Sequence, residues 1–276
     1  MFTLNCKGKL ISIEKPLIMG ILNINNDSFY SGSRHQNPGA IVMKAEQMMQ
    51  EGADVIDIGG QSTRPGSERI TAEEEMQRVL PVIEMLVKKS GNVLLSIDTY
   101  HASVAEAAVN AGASIVNDIS AGEMDNNMID TVASLGVPYI CMHMKGVPET
   151  MHLTINYENL LQEVLDFFIN KINECHLAGI KDVIVDPGFG FGKTIQHNFL
   201  LLKNLTVLKM LGKPIMSGLS RKSIIYKTLH TTAENALNGS TVLNTIALLN
   251  GASILRVHDV KEARETAILL ESYGKA

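Results

Sequence analysis

The sequence lacks the features that mark several large classes of protein. Its three cysteines, Cys6, Cys141 and Cys175, form no C-x-x-C pair, so we expect reduced, buried thiols in a cytoplasmic protein. No apolar run approaches the roughly 18 residues of a membrane span, and the N-terminus shows no signal-peptide pattern. The net charge is −5 and no block of lysine and arginine stands out, which argues against a nucleic acid or a membrane as partner.

Short apolar runs alternate with longer segments of helical spacing along the chain. Apolar residues make up 45% of the 276, enough for a large core. The apolar runs lack strict alternation, which is typical of strands buried on both faces of a parallel sheet. There are eight such runs: Leu17–Leu22, Asp54–Ile58, Val93–Ile97, Ser114–Val116, Pro138–Met142, Asp182–Val185, Pro214–Met216 and Ser253–Val257. The segments with helical spacing are Ile41–Glu51, Ala72–Lys89, Ala102–Asn110, Asn126–Leu135, Tyr157–Ala178, His197–Leu211, Leu237–Leu249 and Lys261–Ser272.

Eight strand–helix units in a chain of this length predict a (β/α)8 barrel, the TIM-barrel fold, which typically takes roughly 250 residues. The segment Phe2–Ile13, with Lys7-Gly8 at its centre, is predicted to form a short β-hairpin that plugs the bottom of the barrel. No linker or shift in composition divides the chain, so residues 1–276 are predicted to form one domain. A doubly wound open sheet is the alternative, and it fits less well because eight similar units close more naturally into a ring.

Polar side chains lie within or directly after each predicted strand. Because barrel active sites sit at the carboxyl ends of the strands, we expect these side chains to converge on one mouth. They are Asn23, Asp57, Thr63, Arg64, Asp98, Asn117, Asp118, His143, Lys145, Asp186, Ser217, Ser220, Arg221, Lys222, Arg256 and His258.

This set divides into two chemical halves. Carboxylates and an amide (Asp98, Asn117 and Asp186) suit a ligand rich in N–H donors, since ionised carboxylates only accept hydrogen bonds. Cationic and basic side chains after the seventh and eighth strands suit an anion, because these loops form the usual phosphate site of a barrel. The two halves together indicate a nitrogen heterocycle that carries a phosphate or a diphosphate. The glycine-rich segment Gly188–Thr194 does not fit the nucleotide-binding pattern and is predicted to be a tight loop.

A series of short motifs covers nearly the whole chain in one order. They are Met19–Asn23 with Asp27–Phe29, Gly52–Gly60, Ser62–Gly66, Ser96–Thr99, Asn117–Ser120, Met142–Gly146, Asp186–Lys193, Gly218–Ser223 and Arg256–Val260. In these motifs the chain resembles the dihydropteroate synthase family of pterin-binding enzymes. The resemblance implies a barrel that joins 6-hydroxymethyl-7,8-dihydropterin diphosphate to p-aminobenzoate and releases diphosphate, with Mg²⁺ on the diphosphate and a homodimer as the assembly.

The resemblance also implies roles for individual residues. Asp98, Asn117, Asp186 and Lys222 match the pterin-binding positions, and Asn23 matches the Mg²⁺ or diphosphate position. Residues at the diphosphate-contacting positions are Thr63, Arg64, Arg256 and His258. Residues at positions near p-aminobenzoate are Phe189, Lys222 and Ser223. The residues expected to take part in catalysis are Asp98, Asp186, Lys222 and Arg256.

The chain departs from the family pattern in its first loops. Asn25-Asn26 stands where the family usually has Thr-Pro, Ser31 stands where it usually has an acid, and Gln61 replaces a usual Glu. Two alternatives stay open beside the synthase. One is a pterin-binding paralogue that lost catalysis through its altered first loop. The other is a methyltetrahydrofolate-dependent methyltransferase, since such domains share the barrel and its pterin-binding positions, although the Gly218–Ser223 and Arg256–Val260 motifs argue against it.

Overall fold

A ring of eight parallel strands forms the centre of the computed structural model, which describes residues 1–24, 38–61, 69–89, 93–148, 150–151 and 155–276. An antiparallel hairpin of β1 (Phe2–Cys6) and β2 (Lys9–Ile13) precedes it. The ring contains β3 (Leu17–Asn23), β4 (Val55–Gly59), β5 (Leu94–Asp98), β6 (Ile115–Asp118), β7 (Tyr139–Met142), β8 (Val183–Asp186), β9 (Met216–Ser217) and β10 (Ile254–Val257). The strand order is β8-β7-β6-β5-β4-β3-β10-β9, and a parallel bridge between Val185 and Ile215 joins the two ends. The predicted barrel is therefore confirmed.

Helices cover the outside of the ring. They are α1 (Pro38–Gln50), α2 (Ala72–Lys89), α3 (Ala102–Ala111), α4 (Met128–Leu135), α5 (Leu160–Ala178), α6 (Ile195–Lys203), the short α7 (Ser223–Tyr226), α8 (Leu237–Leu249) and α9 (Val260–Gly274). Outward-facing strand residues such as Ile58, Ile97 and Leu255 pack against these helices in the main core. None of the helices in the described ranges is long and apolar enough to cross a bilayer.

One predicted helix is interrupted. The apolar spacing of residues 197–211 predicts a single helix, but α6 ends at Lys203 and a 3-10 helix spans Leu205–Leu211. Asn204 lies between them, and its Nδ2 donates to the carbonyl of Leu200 at 2.8 Å. The backbone N–H of Asn204 donates to the same carbonyl at 3.1 Å, so this helical carbonyl accepts two hydrogen bonds from Asn204 at the point where α6 ends.

The N-terminal hairpin closes the amino-terminal end of the barrel, as predicted. Its turn is formed by Lys7 and Gly8, both with positive φ, the conformation of the tightest hairpin turns. Apolar side chains of the hairpin meet one inward-facing residue from each of seven strands, and we call this cluster the bottom plug. Its buried members are Leu4, Cys6, Ile13, Met19, Val55, Ile115, Ile140, Ile184, Met216 and Ile254.

Inward-facing residues change character along the strands. Successive side chains of a strand point to opposite faces, so every second residue faces the barrel interior. Above the bottom plug, the next inward positions carry Asp57 on β4, Ser96 and Asp98 on β5, and Asn117 on β6. The same offset places Asp186 two residues above Ile184 on β8 and Arg256 two residues above Ile254 on β10. Polar groups therefore gather at the carboxyl ends of the strands, which we call the mouth.

Candidate active site

Arg256 links two carboxylates across the interior of the barrel. From β10 its Nε donates to Asp57 Oδ2 at 2.6 Å, and its Nη2 donates to Asp98 Oδ2 at 2.5 Å. Within the described residues its Nη1 donates no hydrogen bond. The arginine is mostly buried, and a buried cation is tolerated where carboxylates compensate its charge. The guanidinium is thus fixed in direction, with one nitrogen left for a ligand.

Asn117 joins the same network from β6. Its Nδ2 donates to Asp57 Oδ2 at 3.0 Å. Among the described residues no donor reaches Asn117 Oδ1 or Asp98 Oδ1. The interior therefore presents several acceptors whose positions are fixed by their neighbours, which suits a ligand with several N–H groups.

Asp186 and Lys222 form the opposite side of the site. Asp186 Oδ1 accepts the backbone N–H of Gly188 at 2.8 Å. A Cβ placed on Gly218 would lie 3.6 Å from Lys222 Nζ and 3.9 Å from Asp186 Oδ2, so both groups border the space beside this glycine. Lys222 Nζ also donates to the carbonyl of Phe189 at 2.6 Å and lies 4.8 Å from the ring centroid of Phe191. Lysine, carboxylate and aromatic ring therefore meet at one place.

The electrostatics of the site reflect burial of interacting charges. Burial raises the pKa of Asp98 to about 7, although Arg256 acts to lower it. Burial lowers the pKa of Lys222 to about 8, against the opposing effect of Asp186. Burial also raises the pKa of Asp186. Perturbed pKa values of this kind gather where charges are arranged for binding or catalysis.

Asn23, His258 and Ser223 lie around the rim of the mouth. Asn23 is exposed at the end of β3, and a Cβ on Gly59 would lie 3.5 Å from its Oδ1 and 3.6 Å from Asp98 Oδ2. The exposed His258 donates its backbone N–H to Ser220 Oγ at 3.1 Å, and its Nδ1 lies 3.2 Å from the same oxygen. Ser223 is half-buried at the start of α7, directly after Lys222. The predicted diphosphate residues Thr63 and Arg64 lie outside the described residues.

Other strand-end residues have structural contacts. Asp118 accepts four hydrogen bonds, from Ser120 N and Oγ, Gly122 N and the Tyr139 hydroxyl. Arg221 pairs through two nitrogens with Asp259, at 2.9 and 2.7 Å. These residues hold loops around the mouth and are not directed into it.

The glycine-rich segment after β8 packs on the loop after β7. A Cβ on Gly188 would lie 2.0 Å from the carbonyl oxygen of His143, so only glycine fits this approach. Lys193 Nζ lies 2.9 Å from His143 Nδ1 and donates to the carbonyls of His143, Gly188 and Phe191. Burial and the nearby Lys193 lower the pKa of His143 to about 2, so this imidazole is neutral. The tight loop predicted from sequence is confirmed, and Lys193 fastens it.

The structure identifies two site residues, Asp57 and Phe191, to which the sequence motifs assign no role. The sequence places Asp57 in a strand but assigns it no ligand role, whereas here it contacts both Arg256 and Asn117. Phe189 is fully buried in the main core, and it is Phe191 whose ring lies beside Lys222. The signal for Asp57 was its inward position two residues above Val55.

A buried carboxylate also lies behind the mouth. Glu75 of α2 is fully buried, and its Oε2 accepts a hydrogen bond from Thr99 Oγ1 at 2.8 Å. Thr99 directly follows Asp98 in the sequence. Its Oε1 has no hydrogen-bond partner among the described residues. Burial raises the pKa of Glu75 to about 7.

Comparisons with known proteins agree on one family. The model of the pterin binding enzyme family matches residues 19–258. The dihydropteroate synthase of Haemophilus influenzae is 42% identical over 259 residues, which cover 93% of this chain and 94% of that protein. A crystal structure of Yersinia pestis dihydropteroate synthase in complex with a sulfonamide drug superposes with a TM-score of 0.93 at 38% identity and covers 100% of both chains. A Xanthomonas albilineans dihydropteroate synthase in complex with 7,8-dihydropteroate has a TM-score of 0.89 at 36% identity, again over 100% of both chains.

Proposed function

Because the chain belongs to the pterin-binding enzyme family and its activity is that of a dihydropteroate synthase, we propose how the residues of the mouth divide the reaction between them. The reaction condenses 6-hydroxymethyl-7,8-dihydropterin diphosphate with p-aminobenzoate to give 7,8-dihydropteroate and diphosphate in folate biosynthesis. The observation that carries the proposal is the Arg256 bridge between Asp57 and Asp98, because it brings acceptors and a cation to one mouth.

The pterin ring lies on Asp98, Asn117, Asp186 and Lys222, which we call the pterin floor. Asp186 Oδ2 and Asn117 Oδ1, which accept no hydrogen bond from the described residues, take the N–H groups of the ring. Lys222, on the same side of the site as Asp186, donates to an acceptor atom of the ring. Asp98 lies against Arg256, where a carboxylate can stabilise positive charge that develops on the ring.

The diphosphate lies against Arg256 and His258, together with Thr63 and Arg64 from the loop outside the described residues. Arg256 Nη1 is available for a phosphate oxygen, and guanidinium groups bind phosphate strongly. His258 is exposed at the rim and held by Ser220. The charge of Arg256 and a ring N–H of His258 stabilise the negative charge that grows on the leaving group.

The oxygen donors at this rim fit a Mg²⁺ ion that is bound through the diphosphate. Asn23 Oδ1 faces the space beside Gly59, and Mg²⁺ prefers oxygen ligands and substrate phosphates. Among the described residues no group of three or more His, Cys, Asp or Glu side chains could hold a metal by itself. Asn23 would therefore hold Mg²⁺ together with the substrate, and the ion would supply charge neutralisation of the leaving diphosphate.

The condensation needs little acid–base chemistry from the protein. The bond between the pterin methylene carbon and the diphosphate oxygen breaks, and the nitrogen of p-aminobenzoate bonds to that carbon and loses a proton. An arylamine is already a nucleophile once it is held close, so the protein contributes position. Lys222 and Ser223 are the residues we assign near p-aminobenzoate, together with Phe191, whose ring lies beside Lys222. Phe189, whose side chain is fully buried, contributes here through its carbonyl, which accepts from Lys222 Nζ.

The anion site can be tested with a double variant, Arg256→Ala with His258→Ala. We expect the affinity for the pterin diphosphate to fall by at least about a hundredfold, because two charge-assisted hydrogen bonds of about 1.5–3 kcal/mol each are lost. The same pterin without its diphosphate is the control ligand, and thermal unfolding verifies that the variant is folded. An unchanged affinity for the diphosphate, measured by calorimetry, would refute the assignment.

The assembly we propose is a homodimer in the cytoplasm. Leu249 at the end of α8 and Ile268, Leu269 and Tyr273 of α9 are exposed, and these two helices are neighbours. Light scattering of Leu269→Glu should show a smaller particle than the parent, whereas Leu177→Glu, an exposed site on α5, should not change the mass. The cytoplasm is supported by the three cysteines, which are unpaired and buried.

A further inference from the structure

Asp57 is a buried carboxylate at the centre of the barrel to which the roles above give no substrate contact. It lies in the middle of β4, opposite Ile21 of β3 and Ser96 of β5 in the parallel register. Its side chain is fully buried. Burial of a carboxylate is costly unless hydrogen bonds and an opposite charge compensate it, so its presence requires an explanation.

The two oxygens of Asp57 are used unequally. Oδ2 accepts from Arg256 Nε at 2.6 Å and from Asn117 Nδ2 at 3.0 Å. Oδ1, like Ser96 Oγ beside it in the register, has no hydrogen-bond partner among the described residues. Asp118 offers a contrast, because both of its oxygens accept hydrogen bonds from its own loop and from Tyr139. A carboxylate that served only to hold the fold would be satisfied as Asp118 is.

We propose that Asp57 is a positioning residue that sets the pterin floor and the anion site from one oxygen atom. Through Arg256 Nε it turns the guanidinium so that Nη2 meets Asp98 and Nη1 stays available for the diphosphate. Through Asn117 Nδ2 it fixes which end of the amide faces the pterin. The proposal rests on the roles assigned above to Arg256 and Asn117.

The effect on Asn117 follows from hydrogen-bond polarity. A carboxylate can only accept, so the Asn117 atom that faces it must be the NH₂ group, and the carbonyl oxygen is turned away from it. Without the carboxylate the amide is free to rotate and present N–H groups to the N–H groups of the pterin. Asp57 therefore decides whether Asn117 is an acceptor or a donor.

Two substitutions separate the charge of Asp57 from its geometry. Asp57→Asn keeps one acceptor oxygen and removes the charge, whereas Asp57→Ala removes both. We expect kcat/KM to fall about tenfold in Asp57→Asn and about a hundredfold in Asp57→Ala, the range that follows from losing one or two charged hydrogen bonds. The pterin without its diphosphate should also bind more weakly to both variants. This ligand cannot contact the anion site, so its loss of affinity measures the effect of Asp57 on the orientation of the Asn117 amide.

A double-mutant cycle tests whether Asp57 acts through its two partners. If it does, Asp57→Ala should reduce pterin affinity much less in an Asn117→Ala background, and diphosphate affinity much less in an Arg256→Ala background, than in the parent. The matched control is Asp118→Asn, which also removes a buried charge beside the mouth. Asp118→Asn should lower the melting temperature, and its effect on pterin affinity should simply add to that of Asn117→Ala.

Clear outcomes would overturn the proposal. Parent-like kcat/KM in both Asp57 variants would do so, and so would effects that add fully to those of Asn117→Ala and Arg256→Ala. Failure of the assigned roles themselves would look different, because Asn117→Ala and Arg256→Ala would then leave substrate affinity unchanged on their own. If Asp57→Ala does not fold, Asp57→Asn in the same cycle decides.

Discussion

On β8, Ile184 and Asp186 point into the barrel two residues apart and have opposite surroundings. Ile184 packs in the bottom plug with Leu4 of the hairpin and Ile140 of the neighbouring strand. Asp186 lies at the mouth, where it accepts from Gly188 and faces Lys222 across Gly218. One end of the strand is packed and dry, and the other is polar.

The same division holds around the ring. Ile254 and Arg256 on β10 repeat it, as do Val55 and Asp57 on β4. A strand therefore stabilises the barrel at one end and presents a reactive group at the other, which separates the requirements of folding from those of catalysis. This separation predicts that substitutions at the two ends affect different measurements.

The largest effect is expected at the bottom plug. Ile184→Ala should cost about 2–5 kcal/mol of unfolding free energy, because it removes buried methylene groups and leaves a cavity. The KM values for both substrates should stay at the parent level. Urea denaturation and steady-state kinetics measure the two quantities, and the exposed Ile169→Ala serves as a control near zero. A raised KM for the pterin substrate would show that the two ends are coupled.

The second prediction concerns the other residue of the pair. Asp186→Asn should weaken pterin binding by about 1.5–3 kcal/mol, since a charged hydrogen bond is lost. Its effect on stability should be small, because an asparagine oxygen can still accept from Gly188. Calorimetry with the pterin tests this, and Asp182→Asn is the matched control, because Asp182 lies at the opposite end of β8 and binds Asn5 of the hairpin. Equal affinity of Asp186→Asn and the parent would remove Asp186 from the pterin floor.

The third prediction concerns Glu75, a buried carboxyl group that lies at neither end of a strand but on α2, between the barrel and its helices. The pKa of Glu75 rises from 4.5 to about 7, mainly through burial. Between those two values the folded protein keeps a proton that the unfolded chain has lost, so stability falls as the pH rises through this window. Glu75→Gln should remove this loss and gain about 1–3 kcal/mol over the parent at pH 8, with no difference near pH 4.

Thermal or chemical unfolding across pH 4–9 measures this effect. Glu84→Gln is an exposed control on the same helix and should follow the parent at every pH. A parent-like pH dependence in Glu75→Gln would mean that Glu75 keeps an ordinary pKa in the folded protein.

The smallest effect is expected in the segment that follows β3 in sequence, which lies outside the described residues. Its Asn25, Asn26 and Ser31 replace residues that are stiffer and more acidic in the family. Asn25→Thr with Asn26→Pro should lower the KM for p-aminobenzoate about two- to fivefold, because proline reduces the conformational entropy lost on binding by about 0.4–1 kcal/mol. Ser31→Asp tests the missing charge. Pterin affinity should not change in either variant, and an unaltered KM in both would refute the loop hypothesis.

The barrel and most of the residues that line its mouth could be predicted from the sequence, but the hydrogen bonds and ion pairs between those residues could not. Strands buried on both faces appear as apolar runs, so all eight could be located. Arg256 and Asp57 are 199 residues apart, and their contact depends on how eight strands are staggered around a ring. No short sequence motif specifies how neighbouring strands are aligned around the ring. Residues 197–211 were predicted as one helix because their apolar spacing continues across Asn204, where the α-helix ends and the tighter 3-10 helix follows.

The N-terminal hairpin has a consequence for the order of folding. It is synthesised before the barrel strands, yet its packing partners are spread along the chain as far as Ile254, and Asn5 N donates to Asp182, 177 residues away. These contacts between distant parts of the chain form slowly, because a long loop must close before they contribute. Leu4 and Ile13 are therefore expected to stay partly uncovered until β10 has left the ribosome. Removal of β10 would leave the hairpin's docking surface incomplete, so a chain truncated there should aggregate during synthesis.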